Sequence, residues 1–151
     1  MKRISRKKGP VIAKKVLYDS INFASGLEKS MYIALKDAGL FEKYEGEVFQ
    51  LVESFTFPNV SIEKTATGKG DYIDRGRKKV LGIKYTPDFT GVDYIIETKG
   101  RANESFPIRY KLFKLWLLNN SDERALYKPQ NKKDIEETIK LILKKRNGDR
   151  H

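Results

Sequence analysis

Apolar side chains recur over 25–40 at the spacing of one helix face. In SGLEKSMYIALKDAGL, Leu27, Met31, Ala34, Leu35 and Ala38 form a single stripe. Ser25 is placed to cap the N-terminus of this helix, and Gly39 to close it at the C′ position. The stretch YEGEVFQLVESFTF, 44–57, is rich in Val and Phe and reads as extended. VLGIKYTPDF (80–89) and DYIIETK (93–99) read as two strands joined by a tight Thr90-Gly91 turn, hence an antiparallel pair. Between these extended stretches, 58–79 (PNVSIEKTATGKGDYIDRGRKK) is polar and aperiodic, and reads as a long excursion or flap outside the core.

A second helix is predicted over PIRYKLFKLWLLNN, 107–120. Pro107 suits its first turn, Ile108, Leu112, Leu115 and Trp116 share the inward face, and Arg109, Lys111 and Lys114 spread over the exposed sides. ERALYKP gives a short strand. NKKDIEETIKLILKK gives a last amphipathic helix with Ile135, Thr138/Ile139 and Ile142/Leu143 inward. The order helix, strands, helix, strand, helix predicts an α/β or α+β fold, a sheet flanked by helices.

Composition adds a partner class. The 151 residues suffice for one domain with a real core, predicted over 21–151. A basic, flexible N-terminal arm is expected over 1–20. Its first fifteen residues carry Lys2, Arg3, Arg6, Lys7, Lys8, Lys14 and Lys15 and no acid, the pattern of a phosphate-backbone contact or of a solubilising tail. A formal charge of +11 points to a polyanion, with nucleic acid favoured over a membrane surface. No cysteine is present, which excludes disulfides and thiol catalysis, and the single histidine is the terminal His151. Neither a bilayer-length apolar run nor a secretory leader is evident, so a soluble, cytoplasmic protein is expected. Any catalysis must therefore draw on carboxylates, lysine, hydroxyls and a metal.

Such groups converge in YTPDFTGVDYIIETKG, 85–100. Side chains alternate along a strand, so Glu97 and Lys99 project together with Ile95, opposite Tyr94, Ile96 and Thr98. Pro87 biases Thr86 toward an extended conformation, and a hairpin returning through Thr90-Gly91 brings Asp88 beside Glu97. Two carboxylates at a strand end make the hard-oxygen environment that Mg²⁺ prefers. A lysine beside them can orient water or neutralise charge developing on a phosphate. A turn followed by a solvated ion pair on a strand accounts for the same residues without chemistry.

Pro87-Asp88 followed by Glu97-Thr98-Lys99 resembles the PD-(D/E)xK nuclease signature. With SGLE at 25–28, YTPDF at 85–89 and ETKG at 97–100, the chain is similar over about 22–115 to the phage endonuclease I family of Holliday-junction resolvases. The resemblance implies a restriction-endonuclease-like core and a metal-dependent endonuclease acting on branched or four-way DNA, leaving 5′-phosphate ends. It implies that Asp88, Glu97 and Glu28 ligate Mg²⁺, for which Mn²⁺ can substitute, and that Lys99 is the catalytic lysine. It also implies an intertwined homodimer, possibly domain-swapped, in which Glu28 serves the partner's site, and a host cytoplasm if the chain is phage-encoded. Arg101, Arg109, Lys111 and Lys114 correspond to the family's basic, DNA-binding stretch. From the residues alone, Ser25-x-x-Glu28 reads first as a capping box. Two other functions stay open: a nicking or end-processing nuclease of the same type on duplex DNA, and a basic DNA-binding protein without catalysis.

Overall fold

The structure, a computed structural model, describes residues 13–149. In chain order the elements are β1 (Val16–Tyr18), β2 (Ile21–Phe23), α1 (Gly26–Asp37), β3 (Lys43–Tyr44), β4 (Phe49–Val52), β5 (Phe55–Thr56) and β6 (Ile62–Glu63). There follow β7 (Ile73–Asp74), β8 (Lys79–Val80), β9 (Ile83–Tyr85), β10 (Phe89–Thr90), β11 (Tyr94–Ile96), α2 (Phe106–Asn119), β12 (Ala125–Tyr127) and α3 (Lys132–Gly148). The fold is mixed α+β, three helices with several small sheets. Among the described residues no helix is long and apolar enough to cross a membrane. The chain forms two compact units: one from the segment ending at Glu45, Asp88–Ala102 and the segment from Arg124 on; the other from Gly46–Pro87 and Asn103–Glu123.

The first unit opens with the β1–β2 hairpin, turned by Asp19 and Ser20, both left-handed (φ 48° and 63°). That two-residue connection matches the right-handed twist of the strands it joins. Val16–Ser20, within the 1–20 stretch for which a flexible arm was expected, belongs to a paired hairpin. Lys2, Arg3, Arg6, Lys7 and Lys8 lie outside the described residues, while Lys14 and Lys15 are exposed just before β1.

Helix α1 begins and ends as its sequence predicts. Ser25 is extended and its hydroxyl accepts from the Glu28 amide. At the other end Gly39 takes φ +68°, Leu40 N donates to Leu35 O, and Gly39 N to Lys36 O, the two bonds of a Schellman closure. Met31, Tyr32 and Leu35 are buried with Phe23, Leu40, Phe89, Tyr94, Ile96, Ile135 and Ile142 in one core, against which Leu27, Ala34 and Ala38 pack. The sheet beneath has the order β12-β11-β10-β3, antiparallel except for the parallel β11–β12 pair. Helix α3, capped by Asn131, packs on α1 and turns Ile135, Thr138 and Ile142 inward; Leu143 stays at the exposed edge.

The second unit is built on a two-stranded ribbon. Strands pair as β4–β9, β5–β8 and β6–β7, each antiparallel and nested inside the one before. Residues 58–79, read from sequence as an aperiodic flap, are thus the distal part of this ribbon. Its strands are two residues long and exposed on both faces, so no burial alternation marks them. The strand predicted over 80–89 is likewise divided: Ile83–Tyr85 pairs with β4, and only Phe89–Thr90 pairs with β11. Pro87, which has no N–H for a ladder, lies between the two pieces.

Helix α2 packs on β4, where Phe113 meets Phe49 and Tyr85 at ring-centroid distances of 4.9 and 4.5 Å. Its buried residues are Phe106, Phe113 and Leu117, whereas Ile108 and Leu115 are exposed. Of the inward face predicted from Ile108, Leu112, Leu115 and Trp116, Leu112 and Trp116 are half-buried, with Trp116 against Phe49, while Ile108 and Leu115 point outward. Apolar residues surround α2 on nearly every side, so period alone does not select a face.

Candidate metal centre

The β10–β11 register, Phe89 opposite Ile96, sets Asp88 against Glu97. The Thr98 amide and hydroxyl both donate to Asp88 Oδ2, at 2.7 and 2.6 Å. Pairing with the chain after β12 continues past β11, since Glu97 N donates to Tyr127 O and Lys99 N to Pro129 O, both at 3.0 Å. That continued ladder carries the extended backbone on through Glu97 and Lys99.

Glu28 arrives from the first turn of α1. Its Oε2 accepts from the Tyr44 hydroxyl at 2.8 Å and from Ala24 N at 3.2 Å, and its Oε1 accepts from the Ser25 hydroxyl at 3.4 Å. The capping box and the acidic cluster are one arrangement here, because Glu28 reaches back to the helix entrance while staying near Asp88. It does so within its own chain, where the resemblance implied the partner's site.

Glu28, Asp88 and Glu97 are all buried, at 7, 8 and 7% exposure. Burial, then the like charges of Glu97 and Glu28, push the Asp88 carboxyl up to about 8, against the opposing pull of the Thr98 hydrogen bonds. Three buried carboxylates held this close form a donor set suited to a hard divalent cation.

The sequence reading missed Glu45. This residue follows β3 with φ +48°, its amide donates to Asp88 O at 2.8 Å, and its carboxylate joins Glu28 and Asp88 with one oxygen each inside 4.8 Å of one another. The only local signal was an acid directly before Gly46. What brings it in is long-range, the β3–β10 pairing of Tyr44 with Phe89. Tyr44 was missed for the same reason; burial and the neighbouring Glu28 carboxylate raise its hydroxyl pKa, so it stays a donor.

Lys99 and Arg101 line an open depression of about 430 Å³ together with Ser25, Glu28 and Thr98. The other predicted DNA contacts are on α2, in the second unit. Arg109 Nη2 donates to Lys84 O at 2.6 Å and its guanidinium lies over the Tyr85 ring; Lys114 lies over Tyr110; Lys111 is exposed.

A family model described as a protein of unknown function, DUF1064, matches residues 8–129. The chain belongs to the DUF1064 family. No curated protein matches it, and no solved structure does. In this DUF1064 chain the matched span contains Glu28, Tyr44, Glu45, Asp88, Glu97, Thr98 and Lys99, and it ends before α3.

Proposed function

We propose that this chain is a Mg²⁺-dependent endodeoxyribonuclease with a PD-(D/E)xK-type site, acting on branched DNA. One observation carries the reading: buried Asp88, Glu97 and Glu28 gather at the end of β11, with Lys99 on the depression that Glu28 lines. Asp88, Glu97 and Glu28, with Glu45, would hold the cation. A divalent cation bound there supplies Lewis acidity toward a phosphate and lowers the pKa of water. Lys99 offsets charge that develops on the phosphate, and Arg101 extends the positive wall of the depression. The excess of basic residues, +11 overall, draws the polyanion.

A purely binding role fits these residues less well. Buried carboxylates repel phosphate unless a cation intervenes. Preference for junctions and assembly as a homodimer follow from the resemblance in SGLE, YTPDF and ETKG, and both enter the test as measured quantities. The protein is assayed on a four-way junction, a linear duplex and single-stranded DNA, with Mg²⁺ or with EDTA. Mg²⁺-dependent cleavage of the junction is expected. Asp88→Asn and Lys99→Ala should each lower its rate by roughly 10²-fold or more. Variants that cut as fast as the parent overturn the assignment, and equal turnover of duplex and junction selects the nicking reading.

A further inference from the structure

We propose that the distal β5–β8 and β6–β7 ribbon is a nucleic-acid-binding arm that lies in a groove of duplex DNA. The ribbon is ordered to its tip. Phe57 N donates to Lys78 O, Arg75 N to Ser61 O and Thr65 N to Lys69 O, so the ladder runs on between and beyond the short strands. At the tip Gly68 and Gly70 adopt φ +74° and +79°, and the Thr65 hydroxyl also donates to Lys69 O, folding 65–70 into a compact turn.

Charge on the ribbon is sorted. Within 58–79 six Lys/Arg face three Asp/Glu. Two of the acids are spent internally: Asp74 accepts from Ser61 N, Gly76 N and Arg77, and Glu63 accepts from the Ser61 hydroxyl. Lys64, Lys69, Lys78 and Lys79 are exposed and, among the described residues, have no ion pair. Four uncommitted ammonium groups on a narrow two-stranded element complement a polyanion.

Register decides against a protein partner. Ile62 stands opposite Asp74 and Ile73 opposite Glu63, so neither face of the β6–β7 rungs is continuously apolar. Protein interfaces deplete lysine and charge at their centre, whereas this surface interleaves them with exposed Ile62, Tyr72 and Ile73. A two-stranded ribbon also has the cross-section that a B-DNA major groove, about 12 Å wide, admits.

The inference shares with the proposed function only the premise of a nucleic-acid ligand, and its test is run in EDTA, where no cleavage occurs. Binding of a labelled duplex and a labelled four-way junction is titrated by fluorescence anisotropy at several salt concentrations. Combined Lys64→Ala, Lys69→Ala, Lys78→Ala and Lys79→Ala should weaken binding on the order of 10-fold, and should flatten the log K against log salt slope by about 2–4, as expected for lost phosphate contacts. The control, Lys133→Ala, Lys140→Ala, Lys144→Ala and Lys145→Ala on α3, removes the same charge elsewhere. An equal loss in the control overturns the proposal, since net charge alone then explains binding. An unchanged slope in the ribbon variant also overturns it, as does a fall in oligomeric state by sedimentation that parallels the lost affinity, which assigns the ribbon to a second copy. Weakened binding in a protein whose parent never cleaves DNA upholds the ribbon and removes the nuclease instead.

Discussion

Burial and two like-charged neighbours hold the Asp88 carboxyl up at about 8, and under the proposed function this sets how protons and a cation would compete for it. The sign follows from the direction. An acid whose folded pKa lies above its unfolded value favours the protonated fold, so in metal-free protein its ionisation removes stability as pH rises from about 4 toward 8. If the proposed metal reading holds, a divalent cation would bind the ionised form and reverse that loss. The rise in Tm on adding millimolar Mg²⁺ should therefore be small near about pH 5 and largest near about pH 8. In Asp88→Asn it should be largely absent at both. Thermal scans across pH measure this; a Mg²⁺ effect of the same size at both ends, or one retained in Asp88→Asn, sinks the assignment of Asp88 as a ligand. Glu45 bears on the same balance. A non-glycine residue at positive φ costs roughly 1 kcal/mol, and here the strained turn delivers a carboxylate to Glu28 and Asp88.

Among the elements, α3 is tied to the sheet by a bidentate ion pair. Arg146 Nε and Nη2 donate to Asp93 Oδ2 and Oδ1, at 2.8 and 2.7 Å, just before β11 begins. The hydrogen bonds from Arg146 outweigh the cost of burial and hold the Asp93 carboxyl below its usual range. A depressed acid contributes stability above its unfolded pKa and loses it as pH falls through the folded one. Asp93→Asn should cost about 1–2 kcal/mol at neutral pH. The difference from the parent should shrink once pH drops below the ordinary aspartate value of 3.8, which denaturant melts at both pH values would check. The elements also separate what a sequence can disclose from what it cannot. Helix α1 was legible to its caps because Ser25, Glu28 and Gly39 act within one or two turns. The apposition of Asp88 and Glu97 was legible because a short hairpin fixes it locally. The face of α2 was legible only in part, since Phe113 is drawn in by Phe49 of β4 and Tyr85 of β9, contacts that no helical period records. The role of Glu45 was not legible, since it depends on a strand pairing across more than forty residues.

At the scale of the whole molecule, the two units divide the chain's chemistry. Every residue of the acidic cluster belongs to the first unit, and the ribbon with α2 forms the second, inserted in sequence between Glu45 and Asp88 and again after Ala102. A formal charge of +11 pointed to a nucleic-acid partner but marked no boundary between units, because the ribbon lacks the alternation that marks a half-buried sheet.

Trp116 is the sole tryptophan, and its ring stands edge-on to Phe49 at 4.9 Å, inside the second unit. The protein thereby carries an intrinsic optical reporter confined to the base of its ribbon. Indole emission follows that unit, while far-UV circular dichroism is dominated by α1 and α3 as well as α2. Phe49→Ala, which empties a buried site beside the indole, should red-shift the emission and lower the midpoint of the fluorescence-detected melt by the equivalent of about 3–5 kcal/mol. An unshifted spectrum would mean that Phe49 does not shield the indole.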